Sequence, residues 1–248
     1  FQVFDSIFKY GGPTKNFESL FNLRMNKLDD GSPLPEGENT RYGTVSGVTD
    51  ADGKVLSPQK IMVNFMDNHD LPRFLYEQPD ETALRNALTL MLTMDGIPCI
   101  YYGTEQNFKG GNDPANREPL WDSGYDTENA TFRHISAINS LRAGYAPLRR
   151  GDMSIIWSTD NTNDEPDAGI LAFERTYKKE KVLVVINTSK TKSSTTSNEE
   201  TVMKTGFAAG AKLKNVFPGS DGKIYTVDSD QTLELTLPKQ SAMILVKN

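Results

Sequence analysis

Residues 61–74, IMVNFMDNHDLPRF, decide how the rest of the chain is interpreted. An apolar run through Met66 ends abruptly in four polar residues, 67–70, and a proline and an arginine follow within three residues. This pattern predicts a buried strand that carries polar side chains at its carboxyl end. Parallel sheets bind ligands at that end, because both faces of the sheet are covered and the loops leaving the strand tips are open. We therefore expect the chemistry to lie near His69 and Asp70.

A second strand is predicted after a helix. Asp80 and Glu81 place negative charge where a helix N-terminus prefers it, and a broad apolar face follows up to Gly96. Residues 97–102, IPCIYY, then predict another buried strand, in which Cys99 is an inert thiol. Two strands joined by such a helix form a right-handed parallel crossover. Repetition of this unit builds a (β/α) barrel.

The flanking segments are predicted from shorter signals. Residues 1–4 indicate a strand, and Thr14 is a candidate N-cap for a helix that follows it. Residues 34–59 are polar and too long for a simple connecting loop. We therefore expect this segment to contain a short helix or to cover a binding site. Another helix is predicted near residues 129–143, from its apolar spacing.

Beyond Gly151 the apolar spacing changes from helical to alternating. Short strands separated by turn signals predict an antiparallel sandwich, and the Ser/Thr-rich residues 188–197 predict a solvated hairpin or loop. We place a domain boundary near Arg150, giving domains 1–150 and 151–248. The predicted strands of the second domain are 155–157, 170–173, 182–186, 212–217, 233–237 and 243–246.

The overall composition narrows the classes of partner. The chain has 248 residues, a net charge of −6 and a pI near 5.1. An acidic balance without a Lys/Arg cluster argues against nucleic acid, because phosphate binding needs a positive surface. No apolar run reaches the ~20 residues that a membrane span needs. The single cysteine excludes an internal disulfide, and the start without Met suggests a mature or truncated product.

Three stretches together carry a family resemblance. Residues 65–74 (FMDNHDLPRF), 96–106 (GIPCIYYGTEQ) and 110–121 (GGNDPANREPLW) resemble the α-amylase superfamily of glycoside hydrolases and transglycosylases, glycoside hydrolase family 13. Within these, GNDPANR is similar to cyclodextrin glucanotransferases and their close α-amylase relatives. The resemblance implies that residues 1–151 are the last strands and helices of a (β/α)8 TIM barrel. It also implies that the β-sandwich is the C-terminal domain.

The resemblance implies roles for individual residues. Asp70 matches the third of three catalytic carboxylates, which stabilises the transition state by accepting hydrogen bonds from sugar hydroxyls as positive charge grows on the ring. His69 matches a histidine that contacts the same sugar. The substrate-binding positions that it implies are Asn68, Arg73, Asp113 and Arg117.

Local structural roles stay open for several of these residues. The Asn-His-Asp triplet is equally compatible with a helix cap. Arg73 has a possible ion-pair partner in Glu77, four residues along, and Asp113 is a candidate for capping a turn.

A retaining glycosidase also needs a nucleophile and a general acid, about 5 Å apart. In the family, the nucleophile lies in a G-F-R-x-D type run and the acid at the next strand tip, and neither run is found in this sequence. We therefore expect the parent protein to be a retaining hydrolase of α-1,4-glucans, and this chain to be inactive alone. Its expected partners are an α-glucan and the missing N-terminal part of the barrel.

Three alternatives stay open. One is a fragment of a cyclodextrin glucanotransferase-like transglycosylase, although those typically carry two further sandwich domains. The second is a non-catalytic carbohydrate-binding protein, and the third is a purely structural accessory domain. We expect no cofactor or metal in this chain, with calcium only in a full-length parent, and an extracellular or periplasmic location.

Overall fold

The computed structural model describes residues 2–35, 48–199 and 201–248. Most of the predicted connection at 34–59 therefore lies outside the described residues. Its described end forms an isolated bridge between Thr49 and Val55 and then the short helix α3, given below.

The N-terminal segment is helical. Helix α1 (Gln2–Phe4) continues into a π-helical turn (Asp5–Lys9), and α2 (Lys15–Arg24) follows. The predicted strand at residues 1–4 is wrong, because Phe4, Ile7 and Phe8 recur at helical spacing and are buried together. Residue 14 precedes α2 as predicted, but its side chain makes no cap bond.

The Thr14 hydroxyl instead joins the two halves of the chain. It donates a hydrogen bond to the carbonyl oxygen of Ile170 at 2.7 Å and accepts one from the amide of Thr159 at 2.9 Å. Thr14 is completely buried, so both backbone groups depend on it for a partner.

The central unit is a parallel pair of strands joined by a helix, as predicted. Helix α3 (Pro58–Ile61) leads into β1 (Val63–Asn64), and α4 (Glu81–Thr93) connects β1 to β2 (Ile97–Pro98). The Asp80 side chain caps α4 by accepting a hydrogen bond from the amide of Ala83. The two strands pair in parallel, with Val63 opposite Ile97.

These two strands are shorter and more open than predicted. One face, with Asn64 and Met66, is buried. Val63 and Ile97, on the opposite face, are each 50% exposed, and Cys99 is exposed too. The prediction of a buried Cys99 is therefore wrong. The physical reason is that no further strand pairs with β1 or β2 among the described residues, so this face stays open to solvent.

Two helices complete the first half. Helix α5 (Ala130–Gly144) begins where predicted, with the Asn129 side chain accepting a hydrogen bond from the amide of Thr131. The short α6 (Ala146–Arg150) then leads into the sheet.

The second half is an antiparallel β-structure. Six strands form one sheet in the order β10-β9-β12-β5-β4-β3, and two small two-stranded sheets, β11-β6 and β7-β8, accompany it. The ten strands are β3 (Asp152–Trp157), β4 (Ile170–Tyr177), β5 (Glu180–Asn187), β6 (Ser194–Thr195), β7 (Ser197–Asn198), β8 (Thr201–Val202), β9 (Lys212–Asn215), β10 (Ile224–Thr226), β11 (Thr236–Leu237) and β12 (Ser241–Lys247).

The central strands β4 and β5 of the six-stranded sheet are buried on both faces. Leu171 and Phe173 point to one face, in a core shared with α4 and the N-terminal helices. Ile170 and Ala172 point to the other face. There they belong to a second apolar core, whose further members include Met203, Leu235 and Leu237. This explains why the central strands read as continuous apolar runs rather than as strict alternation.

Residues 188–197 differ from the predicted solvated loop. Thr188, Ser194 and Thr196 are buried. The Thr196 hydroxyl donates to the carbonyl of Leu233 and accepts from the amide of Leu235, so these hydroxyls serve as internal hydrogen-bonding groups.

Candidate functional site

The tips of β1 and β2 are held together by the buried carboxylate of Asp67. It accepts hydrogen bonds from the Thr104 hydroxyl at 2.9 Å and from the amide of Phe74 at 3.2 Å. Burial raises the pKa of Asp67 above its usual range, although these hydrogen bonds oppose the shift. Asp67 thereby fixes both ends of the turn that follows β1.

That turn presents His69 and Asp70 to solvent. The Asn68 side-chain oxygen accepts hydrogen bonds from the amides of Asp70 and Leu71, at 2.9 and 3.0 Å. The triplet therefore forms a turn rather than a helix cap, because residues 68–80 form turns, bends and irregular backbone and the next helix, α4, begins at Glu81. His69 Nε2 lies 3.3 Å from Asp70 Oδ1, and their side chains are 61% and 67% exposed. Two polar groups therefore lie side by side, open to a ligand.

A second polar pair lies on the loop of residues 109–118. Arg117 Nε is 2.8 Å from the Asp113 carboxylate, and both side chains are about half exposed. The same Nε donates to the carbonyl oxygen of His69 at 3.3 Å. The structure thus brings Asp113 and Arg117 against the His69 turn, although more than forty residues separate them along the chain.

Arg73 is placed differently from the other predicted site residues. It is completely buried. Its Nε lies 3.1 Å from the Glu118 carboxylate, and its Nη1 donates to the carbonyl oxygen of Tyr102 at 2.6 Å. The guanidinium carbon is 4.1 Å from the centroid of the Tyr101 ring, a cation–π arrangement. The suggested partner Glu77 is therefore wrong, because Glu118 is the ion-pair partner.

Two residues of the site were missed by the sequence reasoning. Glu118 Oε1 accepts hydrogen bonds from the amides of Lys109 and Gly110, while its Oε2 pairs with Arg73. Asn116 is completely buried between this loop and the turn. Both lie inside the quoted stretch 110–121, but no local spacing rule distinguishes a buried loop residue from an exposed one.

A cavity of about 660 Å³ lies beside the turn. Leu71 and Tyr76 line it near the site, Asn112 contributes from the loop, and most of the remaining lining comes from β1 and the N-terminal helices, residues 2–24. The space is large enough for several sugar-sized groups.

Residues 2–35, 48–199 and 201–248 contain no cluster of three or more His, Cys, Asp or Glu side chains suited to a metal ion. These residues thus show no carboxylate cluster of the kind that calcium prefers. Helices in those same ranges are too short or too polar to cross a membrane.

Comparison with known families matches both halves of the chain. The model described as "Alpha amylase, catalytic domain" matches residues 44–168, and the one described as "Maltogenic Amylase, C-terminal domain" matches residues 163–244. "Alpha-amylase 2" of Schwanniomyces occidentalis is 31% identical over 177 residues, which is 71% of this chain. The chain spans 33% of the length of that relative.

Solved structures agree with this assignment. An Anoxybacillus α-amylase superposes with a TM-score of 0.63 and 28% identity, covering 77% of this chain and 38% of the enzyme. CldA, described as a cyclomaltodextrin glucanotransferase with a three-domain ABC distribution, superposes with a TM-score of 0.70 and 25% identity, covering 99% of this chain and 42% of that one. The fold is accordingly the last part of a TIM barrel followed by an antiparallel β-domain. With a catalytic-domain match over half its length, this chain belongs to the α-amylase family of glycoside hydrolases.

Proposed function

We propose that this chain supplies part of the glucan-binding site of a retaining glycoside hydrolase that acts on α-1,4-glucans such as starch and maltooligosaccharides. One observation carries the proposal: the exposed pair His69 and Asp70 lies directly against the exposed pair Asp113 and Arg117. Carboxylates accept and guanidinium groups donate several hydrogen bonds in fixed geometry, which suits the many hydroxyls of a glucan.

Within this site, Asp70 is the transition-state stabiliser. Its carboxylate accepts hydrogen bonds from hydroxyls of the reacting sugar, and these bonds strengthen as the ring becomes positively charged. His69 contacts the same sugar, and Asp113 and Arg117 hold sugars toward the non-reducing end.

Arg73 and Asn68 contribute from behind the sugar-facing surface. Arg73 is wholly buried, so it supports the site through Glu118 and Tyr102. The Asn68 side-chain oxygen is occupied by two backbone amides, so its contribution is to shape the turn that carries Asp70.

The remaining chemistry belongs to the longer parent protein. We propose that its preceding barrel strands provide the nucleophile and general acid, complete the sheet edge at β1, and form the partner of this chain. The domains are then residues 1–150 and 151–248. The parent is secreted, and the calcium that the resemblance implies for it would be held by residues beyond those described.

Calorimetry tests the binding role. The intact chain is titrated with maltohexaose, in parallel with Asp70→Asn and with Asn139→Ala, a control on the exposed surface of α5. We expect the wild type and the control to bind equally and Asp70→Asn to bind at least about tenfold more weakly, as for loss of a charge-assisted hydrogen bond. Wild-type affinity in Asp70→Asn would overturn the assignment of Asp70.

A starch assay on the same proteins tests the inactivity of the isolated chain. We expect no turnover, because two of the three carboxylates are absent. Turnover that disappears in Asp70→Asn would overturn this part of the proposal.

A glucanotransferase-like parent is the second candidate. It is favoured by the superposition with CldA over 99% of the chain. Because CldA is described as a three-domain enzyme, the count of C-terminal domains does not separate the two activities. Product analysis of the complete parent decides, since cyclic products indicate transglycosylation and linear ones hydrolysis. Maltohexaose binding that survives loss of both Asp70 and Arg117 would instead favour the non-catalytic carbohydrate-binding alternative.

A further inference from the structure

The loop of residues 109–118 and the turn of residues 68–71 are joined chiefly through one side chain. Asn116 Nδ2 donates hydrogen bonds to the carbonyl oxygens of Leu71, at 2.8 Å, and Asn68, at 3.3 Å. These carbonyls flank His69 and Asp70 on both sides. The Asn116 carboxamide therefore spans the turn that carries both of these side chains.

The orientation of this carboxamide follows from its surroundings. Both neighbours are carbonyl oxygens, which accept hydrogen bonds only, so the NH2 group must face them. The Asn116 oxygen is buried without a hydrogen-bond partner among the described residues. Burying an unpaired acceptor is unfavourable. The favourable contribution of Asn116 to this part of the structure therefore comes from the two hydrogen bonds that Nδ2 donates.

The loop that carries Asn116 is itself held closed. Glu118 accepts hydrogen bonds from the amides of Lys109 and Gly110, which joins the two ends of the loop. The amide of Arg73 donates to the Gly110 carbonyl oxygen at 3.0 Å, which ties the same loop to the chain after the turn. A closed loop lets Asn116 act as a rigid connection rather than as a mobile contact.

Asn116 also lies between the two sugar-facing residues of its loop. Asp113 and Arg117 pair with each other across it, and Arg117 reaches the carbonyl of His69. Any shift of Asn116 relative to the turn therefore changes the distance between the Asp113–Arg117 pair and Asp70.

We propose that Asn116 is a positioning residue whose carboxamide holds the Asp113–Arg117 pair at a fixed distance from Asp70, so that one glucan chain binds to both at once. This inference rests on the proposed function. A ligand that spans two linked sites gains affinity from their fixed separation, whereas a ligand confined to one site gains nothing. The residue thus sets the preference of the site for long over short glucans.

The test compares two ligand lengths on the intact chain. Glucose, a single sugar, and maltohexaose are titrated by calorimetry into wild type, Asn116→Ala, Asn116→Asp and Asn139→Ala. Asn116→Asp keeps the shape but replaces the NH2 donor with an acceptor. We expect both Asn116 variants to lose about tenfold or more in maltohexaose affinity while glucose binding stays within about twofold, with Asn139→Ala unchanged.

A second measurement does not depend on sugar. Amide hydrogen exchange is followed at Asp70 and Leu71, whose amides are bonded to Asn68, and at α5 as a reference. We expect faster exchange at the turn and no change in α5 for both Asn116 variants. Equal losses for both sugars, or faster exchange throughout the protein, would reduce Asn116 to a general stabilising residue and overturn the proposal.

The two readouts separate this inference from the function on which it rests. A wild-type chain that binds neither sugar would contradict the proposed function and, with it, the length preference. Unchanged hydrogen exchange at Asp70 and Leu71 in Asn116→Ala would contradict the positioning role of Asn116, independently of the affinities measured for the sugars.

Discussion

The guanidinium of Arg175, on β4, lies 3.2 Å from the carboxylate of Asp95, just beyond the end of α4. The same side chain donates to the carbonyl oxygens of Thr93, at 2.6 Å, and Gly151, at 2.9 Å. Burial lowers the pKa of Arg175 to about 10 while Asp95 opposes the shift, so the group stays charged at neutral pH. This buried pair joins the β-sheet to the helical half of the chain.

Removing that guanidinium should destabilise the protein strongly. We expect Arg175→Leu to lower the free energy of unfolding by about 3–5 kcal/mol, because Asp95 and two carbonyls lose a buried partner. Lys60, 3.5 Å from Asp95, moderates the effect. Urea denaturation measures it, with Arg149→Leu as an exposed control that changes stability by about 0.5 kcal/mol or less. An Arg175→Leu chain as stable as this control would contradict the role of the pair.

Acid should weaken the packing around His134. Burial, with a smaller contribution from the nearby Arg85 charge, lowers the pKa of His134 from 6.5 to about 4, and the ring contacts the Thr89 hydroxyl at 2.9 Å. Since the unfolded chain takes up a proton near pH 6.5 and the folded one only near 4, stability falls as the pH drops through this window. The free energy of unfolding falls by about 3 kcal/mol at most, and solvent screening makes this loss smaller.

Two measurements check this pH dependence. Nuclear magnetic resonance titration should place the midpoint of His134 near pH 4. Urea unfolding at pH 7 and pH 4.5 should show a smaller loss of stability in His134→Gln than in wild type. Equal losses in the two proteins would show that other groups govern acid unfolding.

A methyl group at Gly110 should disrupt the loop of residues 109–118. A Cβ at this position would overlap the carbonyl oxygen of Ala115 and approach the Glu118 carboxylate, so the loop cannot close around it. We expect Gly110→Ala to weaken maltohexaose binding about tenfold or more, by separating the two parts of the site. Gly144→Ala is the matched control, because a Cβ there meets no atom within 4 Å. Unaltered maltohexaose affinity in Gly110→Ala would show that binding does not require the loop of residues 109–118 to be closed.

Cys99 should react readily in the native chain. Its side chain is exposed one residue beyond the end of β2, next to the open face of the β1–β2 pair, and accessibility is one of the conditions that governs thiol modification. We expect one equivalent of a disulfide reagent such as dithiobis(nitrobenzoic acid) to react without denaturant, at a rate within about tenfold of that in urea. A thiol that reacts only after unfolding would show that the face is covered in solution.

Local signals in the sequence were sufficient for much of the fold. Helices α4 and α5 were predicted from their apolar spacing, and the negative charge of Asp80 and Glu81 marked the start of α4, because these signals act within a few residues. The parallel order of β1 and β2 followed from the helix that joins them, and the antiparallel strands after Gly151 followed from the change in apolar spacing.

The chemistry of the site was only partly accessible in this way. The family motifs located His69 and Asp70 at the strand tip, and GNDPANR located Asp113 and Arg117, so the sugar-facing candidates came from sequence. No local pattern in the sequence indicates that Arg73 is buried or that Asn116 donates hydrogen bonds to the turn of residues 68–71. Glu118 lies 45 residues from Arg73 along the chain and Leu71 lies 45 residues from Asn116, and side chains of the same type serve equally well on a surface.

By itself, the sequence determined helices α4 and α5, the change to antiparallel strands after Gly151, and which family motifs reach the strand tips, because these depend on neighbours within a turn or a strand. Only the tertiary structure decided that Cys99, just beyond β2, stays exposed, that Arg73 pairs with Glu118, and that Arg175 reaches Asp95. Each of these outcomes depends on which distant groups meet in space. Burial and charge pairing then determine whether a polar residue binds a ligand or supports the fold.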